Sequence, residues 1–321
     1  MNPGVSIVIC TYNGLGKLYD TLQHICELKS RYSWELIVID NNSLDDSFEF
    51  SLNFLKKTKI DYRVEKCKVP GKMNAFWMGI RLANYDYILD CDDDNHLFSD
   101  YIQTGLDFLF SHPTIGALGG LGIPKLEYTP DWFRKFSKSY AVGPQGQSGE
   151  VLELYSHLYG AGCFYKKAPL LELEKRGFTS LLTCRKGDSL SSGGDVELCY
   201  ALQLMGFDLV FLDKLKFYHA IPRERLDFDY YLKLKVGISL SFPILASYRV
   251  NEFKTISQFK KHLFYALWIS LKGVIKSFTF LNETYEVRVS KVVTMTKLKF
   301  FFKNYSFAIA GFNRNKKLFN P

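Results

Sequence analysis

The strongest constraint in this chain is a pattern repeated through its first hundred residues: an apolar run, a polar turn, then residues at helical spacing. Residues 5–10, Val-Ser-Ile-Val-Ile-Cys, are nearly continuously apolar and follow Pro3-Gly4, as suits a central strand buried on both faces. The run ends in Thr11-Tyr12-Asn13-Gly14, after which Leu15, Leu18, Leu22 and Ile25 recur at helical spacing. Residues 34–39 form a second run ending at Asp40-Asn41-Asn42-Ser43, where Ser43 or Asp45 is placed to cap a helix running to about Lys57. A short strand over 60–64, a Pro70-Gly71-Lys72 loop, a helix over 74–83 and a buried strand over 85–89 complete the series. Four such units with short connections predict an α/β fold with a mostly parallel sheet flanked by helices.

The last strand runs into Asp90-Cys91-Asp92-Asp93-Asp94-Asn95. Four carboxylates in five positions repel one another, so either a cation sits there or water reaches them freely. Alternation puts Asp90, Asp92 and Asp94 on one side and Asp93 on the other. Hard cations such as Mg²⁺ and Mn²⁺ take oxygen ligands of this kind, usually together with substrate phosphates. Taken alone, the run serves as well as a solvated acidic turn. A calcium loop of the EF-hand type fits poorly, because Asn95 and Tyr101 stand where Gly and Glu are needed.

In parallel sheets ligands collect beyond the carboxyl ends of the strands. Thr11-Tyr12-Asn13, Asp40 and Asp92-Asp93-Asp94 all lie at such ends, which points to a nucleoside diphosphate. The ordinary nucleotide motifs are missing: no G-x-G-x-x-G opens the first helix, and Gly71-Lys72-Met73 lacks P-loop spacing. Gly71 is equally a turn glycine and Lys72 equally a solvated charge. The second half is less regular. Gly116 to Gly122 is glycine-rich, residues 160–165 are a glycine-led strand, and residues 209–212 and 217–219 are two further strands. Gly193-Gly194-Asp195 precedes an amphipathic helix ending near Gly206, with Asp195 equally its N-cap. His219 alone is as well a structural histidine as a ligand.

Composition narrows the setting. With 321 residues, 47% of them hydrophobic and 23% charged, the chain has ample length for a large core. Seven scattered cysteines without a C-x-x-C pair suit a reducing compartment rather than a disulfide framework or a zinc site. No signal peptide and no spanning helix are expected. The net charge of +8 is uneven: residues 226–321 hold 16 Lys and Arg against 5 Asp and Glu. A basic, aromatic-rich tail on a near-neutral body points to an anionic membrane surface or to nucleic acid. Within it, a helix over 259–280 puts Phe259, Leu263, Leu267, Leu271, Val274 and Phe278 on one face. Lys261, Tyr265, Trp268, Lys272 and Lys276 follow another stripe. That apolar face can meet a membrane or pack on the rest of the chain.

The ordered set of motifs resembles the family 2 glycosyltransferases, which have the GT-A fold. It is carried by residues 7–14, 36–43 and 71–75, by Asp92-Asp93-Asp94, by residues 194–199 and by His219, so it covers about 3–225. Bacterial members that build surface polysaccharides are especially similar. The resemblance implies a catalytic domain over 1–225, with a nucleotide-sugar half to about 122 and an acceptor half after it, and a mainly helical extension over 226–321. It implies an inverting, hexosyltransferase-like enzyme that uses Mn²⁺ or Mg²⁺. A nucleotide-sugar, UDP-linked above others, would donate to a glycan or lipid-linked acceptor. Thr11, Tyr12, Asn13 and Asp40 would hold the nucleoside, with Gly71, Lys72, Asn74, Asp92 and Asp93 around the donor. Asp94, Asp92 and His219 would hold the metal, and Asp195 would be the catalytic base, with Glu197 in reserve. The expected setting is cytoplasmic, at the inner face of the plasma membrane, without nucleic acid. Two departures accompany the resemblance. Gly194 stands where many relatives carry Glu, and Asp90 lies where relatives carry an apolar residue, which leaves open a metal register two residues earlier.

Two rival readings remain at this level. Asp90-Cys91-Asp92 has the form of a haloacid dehalogenase-type phosphohydrolase motif, although such an enzyme places its nucleophilic Asp after the first strand. A non-catalytic carbohydrate-binding subunit on the same fold would bind nucleotide-sugar poorly and turn over nothing.

Overall fold

The computed structural model describes residues 2–182, 184, 192–278 and 284–319, with the side chains of Phe278 and Lys303 excepted. The first unit is strand β1 (Gly4–Thr11), helix α1 (Leu15–Cys26), β2 (Ser33–Asp40), α2 (Ser47–Leu55), β3 (Tyr62–Lys66), α3 (Lys72–Leu82) and β4 (Tyr87–Asp92). After it come β5 (Asn95–Leu97), α4 (Tyr101–Ser111), β6 (Ile115–Lys125), α5 (Phe133–Phe136), β7 (Cys163–Lys166), α6 (Lys167–Lys175), α7 (Gly194–Leu204) and β8 (Asp208–Ala220). Three long helices close the chain: α8 (Phe228–Ala246), α9 (Ile256–Phe278) and α10 (Tyr285–Phe319), the last broken by non-helical backbone at Asn304.

The eight strands form one sheet in the order β3-β2-β1-β4-β7-β6-β8-β5. Its first half, β3 to β4, is parallel, as the strand–helix alternation requires. Its second half is mixed: β7 runs antiparallel to β4 and β6, β8 parallel to β6, and β5 antiparallel to β8. The sheet is therefore less parallel than expected, because the second half lacks the regular crossover helices that enforce parallel pairing.

Alternation along each central strand feeds two cores. Val8, Ile37 and Ile39 face α3, α6 and α7 on one side. Ile7, Ile9, Leu36 and Val38 face α1, α2 and α4 on the other. Several local expectations shift. Residues 209–212 and 217–219 are one long strand, β8, whose pairing with β6 slips between Gly119 and Leu121. The strand expected over 160–165 begins only at Cys163. Neither Ser43 nor Asp45 is the cap residue of α2. That position is Asp46, while Ser43 Oγ accepts from Asn13 N and Asp45 accepts from Leu15 N and Ser47 N. The predicted helix over 259–280 is α9, beginning three residues earlier and reaching Phe278, with residues 279–280 of the expectation outside the described residues.

Candidate active site

Register brings the polar strand ends together. Thr11 pairs with Asp40 and Cys10 with Asp92, so β1, β2 and β4 end side by side. Gly14 lets the first turn close tightly: a Cβ there would lie 2.0 Å from Thr11 Oγ1 and 2.6 Å from Asp93 Oδ2. Beyond these ends opens a cleft of about 1200 Å³ whose lining includes Thr11, Tyr12, Lys72, Asp92, Asp94 and Asp195.

The four carboxylates diverge. Asp90 and Asp92 lie inside β4 and share one cation: Lys72 Nζ donates to Asp90 Oδ2 at 3.1 Å and to Asp92 Oδ1 at 2.5 Å. Lys72 reaches them from the first turn of α3, which starts after Gly71 at φ 119°, a left-handed geometry that favours glycine. Burial pushes the Asp90 carboxyl up to about 7 against the pull of Lys72. Burial also opposes ionisation of Asp92, but Lys72, with a smaller contribution from His219, holds that carboxyl below its ordinary range. Asp93 turns the other way. Its Oδ1 accepts from Lys17 Nζ at 2.8 Å, its Oδ2 from Thr11 Oγ1 at 2.8 Å, and its backbone oxygen from Thr21 Oγ1. Asp93 thus ties α1 to the end of β4.

Asp94 lies between a histidine and an arginine. β5 pairs with β8 so that Asn95 faces His219, which sets His219 Nε2 at 3.3 Å from Asp94 Oδ1. Arg225 Nη1 donates to Asp94 Oδ2 at 3.0 Å. Burial would raise the Asp94 carboxyl, but His219, Arg225 and Lys17 together hold it far below its usual range. His219 Nδ1 is buried with no hydrogen-bond partner among the described residues, and so are Asp90 Oδ1 and Asp40 Oδ1.

Asp195 faces the cleft from α7. Gly193 at φ 107° is the cap residue, so Asp195 sits in the first turn rather than at the cap position. Its Oδ2 accepts from Gly160 N at 3.1 Å and its Oδ1 from Val196 N at 3.0 Å. A Cβ on Gly160 would meet Asp90 Oδ2 at 3.0 Å and Asp195 Cβ at 3.2 Å, so this glycine lets both acids approach one backbone segment. Glu197 is fully buried, with its oxygens accepting from Leu181 N, Leu182 N and Tyr248 Oη. With both oxygens engaged and no face on the cleft, Glu197 is a structural acid and not a reserve base.

The other expected residues lie at the ends of β1 and β2 and around the start of α3, with Tyr12 in the cleft lining and Asn13, Asp40, Gly71 and Asn74 outside it. Tyr12 is exposed in the cleft mouth. Asn13, at φ 50°, accepts from Leu44 N and so fixes the turns after β1 and β2 against each other. Asp40 is buried at the end of β2 and accepts from Ser43 N. Asn74 donates to Pro70 O and holds the loop before α3. Asn41, which motif reading passed over as a target, accepts from Gly71 N and donates to Val69 O, pinning the same loop. Lys17 and Arg225 were also missed, since single cations outside a motif give no signal until the fold sets them beside Asp93 and Asp94.

Among the described residues no three His, Cys, Asp or Glu side chains form a ready metal cage. Asp92, Asp94 and His219 do supply an oxygen–oxygen–nitrogen donor set, with Nδ1 of His219 unspent. Lys72 and Arg225 already balance the two carboxylates. A divalent cation on this donor set would need a diphosphate and water to complete its shell, since these side chains alone do not enclose it.

The chain matches the family model for glycosyl transferase family 2 over residues 6–173. It is 38% identical over 97 residues to a chondroitin synthase of Escherichia coli, covering 28% of this chain and 13% of that protein. It is 29% identical over 118 residues to a poly-beta-1,6-N-acetyl-D-glucosamine synthase of Staphylococcus epidermidis, covering 36% and 28%. The chain therefore spans well under a third of these relatives. Among solved structures, S. aureus TarS 1-349 in complex with UDP-GlcNAc superposes with a TM-score of 0.54 at 12% identity, covering 95% of this chain and 92% of that one. The mannosyltransferase PcManGT of Pyrobaculum calidifontis, in complex with GDP-Man and Mn²⁺, gives 0.53 at 13% identity, covering 99% and 75%. These similarities show the fold.

Proposed function

Because the chain belongs to glycosyl transferase family 2, we propose that it transfers a sugar, with inversion, from a nucleoside-diphosphate donor to a hydroxyl of a glycan or lipid-linked acceptor. The observation that carries this reading is one cleft with Asp92, Asp94 and His219 at its strand-end side and Asp195 on the facing helix. A single displacement needs that division of labour. The anomeric bond to the diphosphate breaks on one side while the acceptor oxygen bonds on the other. Asp195 takes the hydroxyl proton as that bond develops. Thr11, Tyr12 and Asp40 orient the nucleoside, and Lys72 and Arg225 offer positive charge close to the departing diphosphate. Asp92, Asp94 and His219 would hold a divalent ion, Mn²⁺ or Mg²⁺, which would supply Lewis-acid stabilisation of the leaving group. The donors seen on the two solved neighbours, UDP-GlcNAc and GDP-Man, support a nucleotide-sugar here, with UDP the preferred nucleotide.

In this reading residues 1–225 are the catalytic body, with the donor half to about 122, and 226–321 complete the cleft. No helix among the described residues is long and apolar enough to cross a membrane. The basic extension supports a peripheral position for the enzyme at the inner, anionic face of the plasma membrane. Titration calorimetry tests the donor site. UDP should bind at least tenfold more tightly with Mn²⁺ than without, and Asp94→Asn should abolish that gain, a far larger effect than the stability it costs by unpairing Arg225. Metal-independent binding, unchanged in Asp94→Asn, would overturn the assignment and turn attention to Asp90.

A further inference from the structure

The cleft is larger than one donor requires. Ordinary ligand sites enclose roughly 300–1,000 Å³, and this one continues past Asp195 between α8, α9 and α10 to a volume of about 1200 Å³. Helix α8 lines it lengthwise. Tyr230, near its start, shares the lining with Arg225, the partner of Asp94. Further along, Ser241 lies against Gly193, where a Cβ would be 3.2 Å from Ser241 Cβ. Gly193 is two residues from Asp195, so α8 leads from the metal end to the base.

Lys235 stands on this path, six residues before Ser241, or about 9 Å along the helix axis. Lys297 of α10 faces the same space, its Nζ 4.7 Å from the centre of the Phe242 ring. Both lysines are only partly exposed. Among the described residues neither has a carboxylate partner, whereas Arg249 in the same lining is paired with Glu252 at 2.8 Å. Burial lowers the ammonium pKa of both, and for Lys235 the charge of Lys297 adds to it. Two half-buried cations of one sign in one cavity favour an anion between them. The surroundings are apolar: Ile238, Phe242, Leu263, Leu267, Phe300 and Phe301 line this part of the cleft.

We propose that this arm of the cleft binds the lipid phosphate of a lipid-linked sugar acceptor, with Lys235 and Lys297 on the phosphate, the hydrocarbon between α8, α9 and α10, and the sugar hydroxyl that attacks the donor toward Asp195. The assignment rests on the transferase reading above and narrows its acceptor. Charge alone would suit an acidic glycan equally, but a glycan would leave the apolar walls unmatched, and a free phosphate would leave them empty.

Calorimetry on the full chain with farnesyl phosphate, below its aggregation concentration, tests this. Saturable binding is expected, at least tenfold tighter than that of farnesol or inorganic phosphate. The Lys235→Gln/Lys297→Gln variant should lose tenfold or more, and Lys235→Arg/Lys297→Arg should recover most of it. UDP affinity in Mn²⁺, measured on the same samples, should stay within about twofold. If the Gln pair does not fold, the single Gln variants carry the comparison. Equal binding by the Gln and Arg pairs, or no saturable binding, overturns the proposal. A parallel loss of UDP affinity also overturns it, by assigning the lysines to the donor. So does lysine-dependent binding of oligogalacturonate in place of farnesyl phosphate, since the site would then take an acidic glycan. Wild-type protein that binds farnesyl phosphate through the lysines but not UDP would remove the donor reading and leave this one standing.

Discussion

Asp195 and Glu197 are two residues apart on α7, and their surroundings give them opposite tasks. Asp195 opens on the cleft, and its two hydrogen bonds come from backbone N–H groups, one to each oxygen, of which an Asn oxygen would keep one. Asp195→Asn should therefore keep UDP and Mn²⁺ affinity and lose transfer by about 10²–10⁴, the usual worth of general-base assistance. Steady-state rates beside binding constants check this, and near wild-type turnover in Asp195→Asn would remove the base assignment. Glu197 responds in stability instead. Burial pushes its carboxyl from 4.5 to about 7, against the hydrogen bonds from Tyr248, Leu182 and Leu181. The folded chain thus keeps a proton that the unfolded chain gives up. The contribution is whole below the unfolded value and is lost as pH rises through the folded one, at roughly 1.4 kcal/mol per pH unit at its steepest. Glu197→Gln should be less stable than wild type at pH 5, because an amide N–H₂ replaces an acceptor. The gap should narrow by pH 8. Urea unfolding at the two pH values gives the answer, and a gap constant across them would contradict the buried, protonated assignment.

Element by element, the sequence was most readable where one period serves one environment. β1 and most of β2 are buried on both faces, and their nearly continuous apolar runs show it. The strand-end residues Thr11, Asp40, Asp92 and Asp94 were legible as a group because strand ends of a parallel half-sheet share one edge. Pairing in the second half was not, since the antiparallel contacts of β7 and β5 depend on which edges the first half leaves open. Helix α9 shows another limit. Its position was readable, but both faces carry apolar residues, so the inward face was not. Phe259 and Leu263 pack with Ala308 and Phe312 of α10, the Phe259 and Phe312 rings stacked at 4.5 Å. Phe264, Tyr265, Trp268 and Ile275 face outward instead, and Lys272 lies 3.5 Å from the centre of the Trp268 ring. Aromatic rings between lysines suit the headgroup boundary of an anionic bilayer. The full chain should float with phosphatidylglycerol vesicles at low salt, and a Tyr265→Ser/Trp268→Ser variant should stay largely in the dense fraction while its melting temperature holds. Equal flotation of the two proteins would place the contact elsewhere.

At the scale of the molecule, the extension is part of the catalytic body's core rather than an appendage. Tyr248 and Phe300 are buried in the same cluster as Val8, Phe76 and Leu198. Polar contacts repeat the connection. Arg314 of α10 donates to Thr179 O at 2.6 Å and to Tyr248 Oη at 3.1 Å, Tyr248 donates to Glu197 at 2.6 Å, and Asn315 donates to Ser247 Oγ at 3.1 Å. A chain of contacts thus runs from α10 through the turn after α8 to the helix that carries Asp195. If that chain holds the cleft in shape, loosening α10 should be felt at the active site without altering any residue in it. Gly311 offers the means. A Cβ there would lie 3.0 Å from Ser247 Oγ and 3.1 Å from Leu181 Cδ1, so a larger side chain must push α10 outward. Gly311→Val should cost about 1–3 kcal/mol, as overpacking does, and lower the midpoint of a single calorimetric transition by several degrees. Sugar transfer should fall with it, while UDP affinity in Mn²⁺ stays close to wild type, because Asp92 and Asp94 are held by β4 and their cations. Two separate transitions, with the change confined to one of them, would mean that residues 226–321 fold as an independent unit. Transfer at the wild-type rate in a clearly destabilised Gly311→Val would mean that the extension's docking does not shape the cleft.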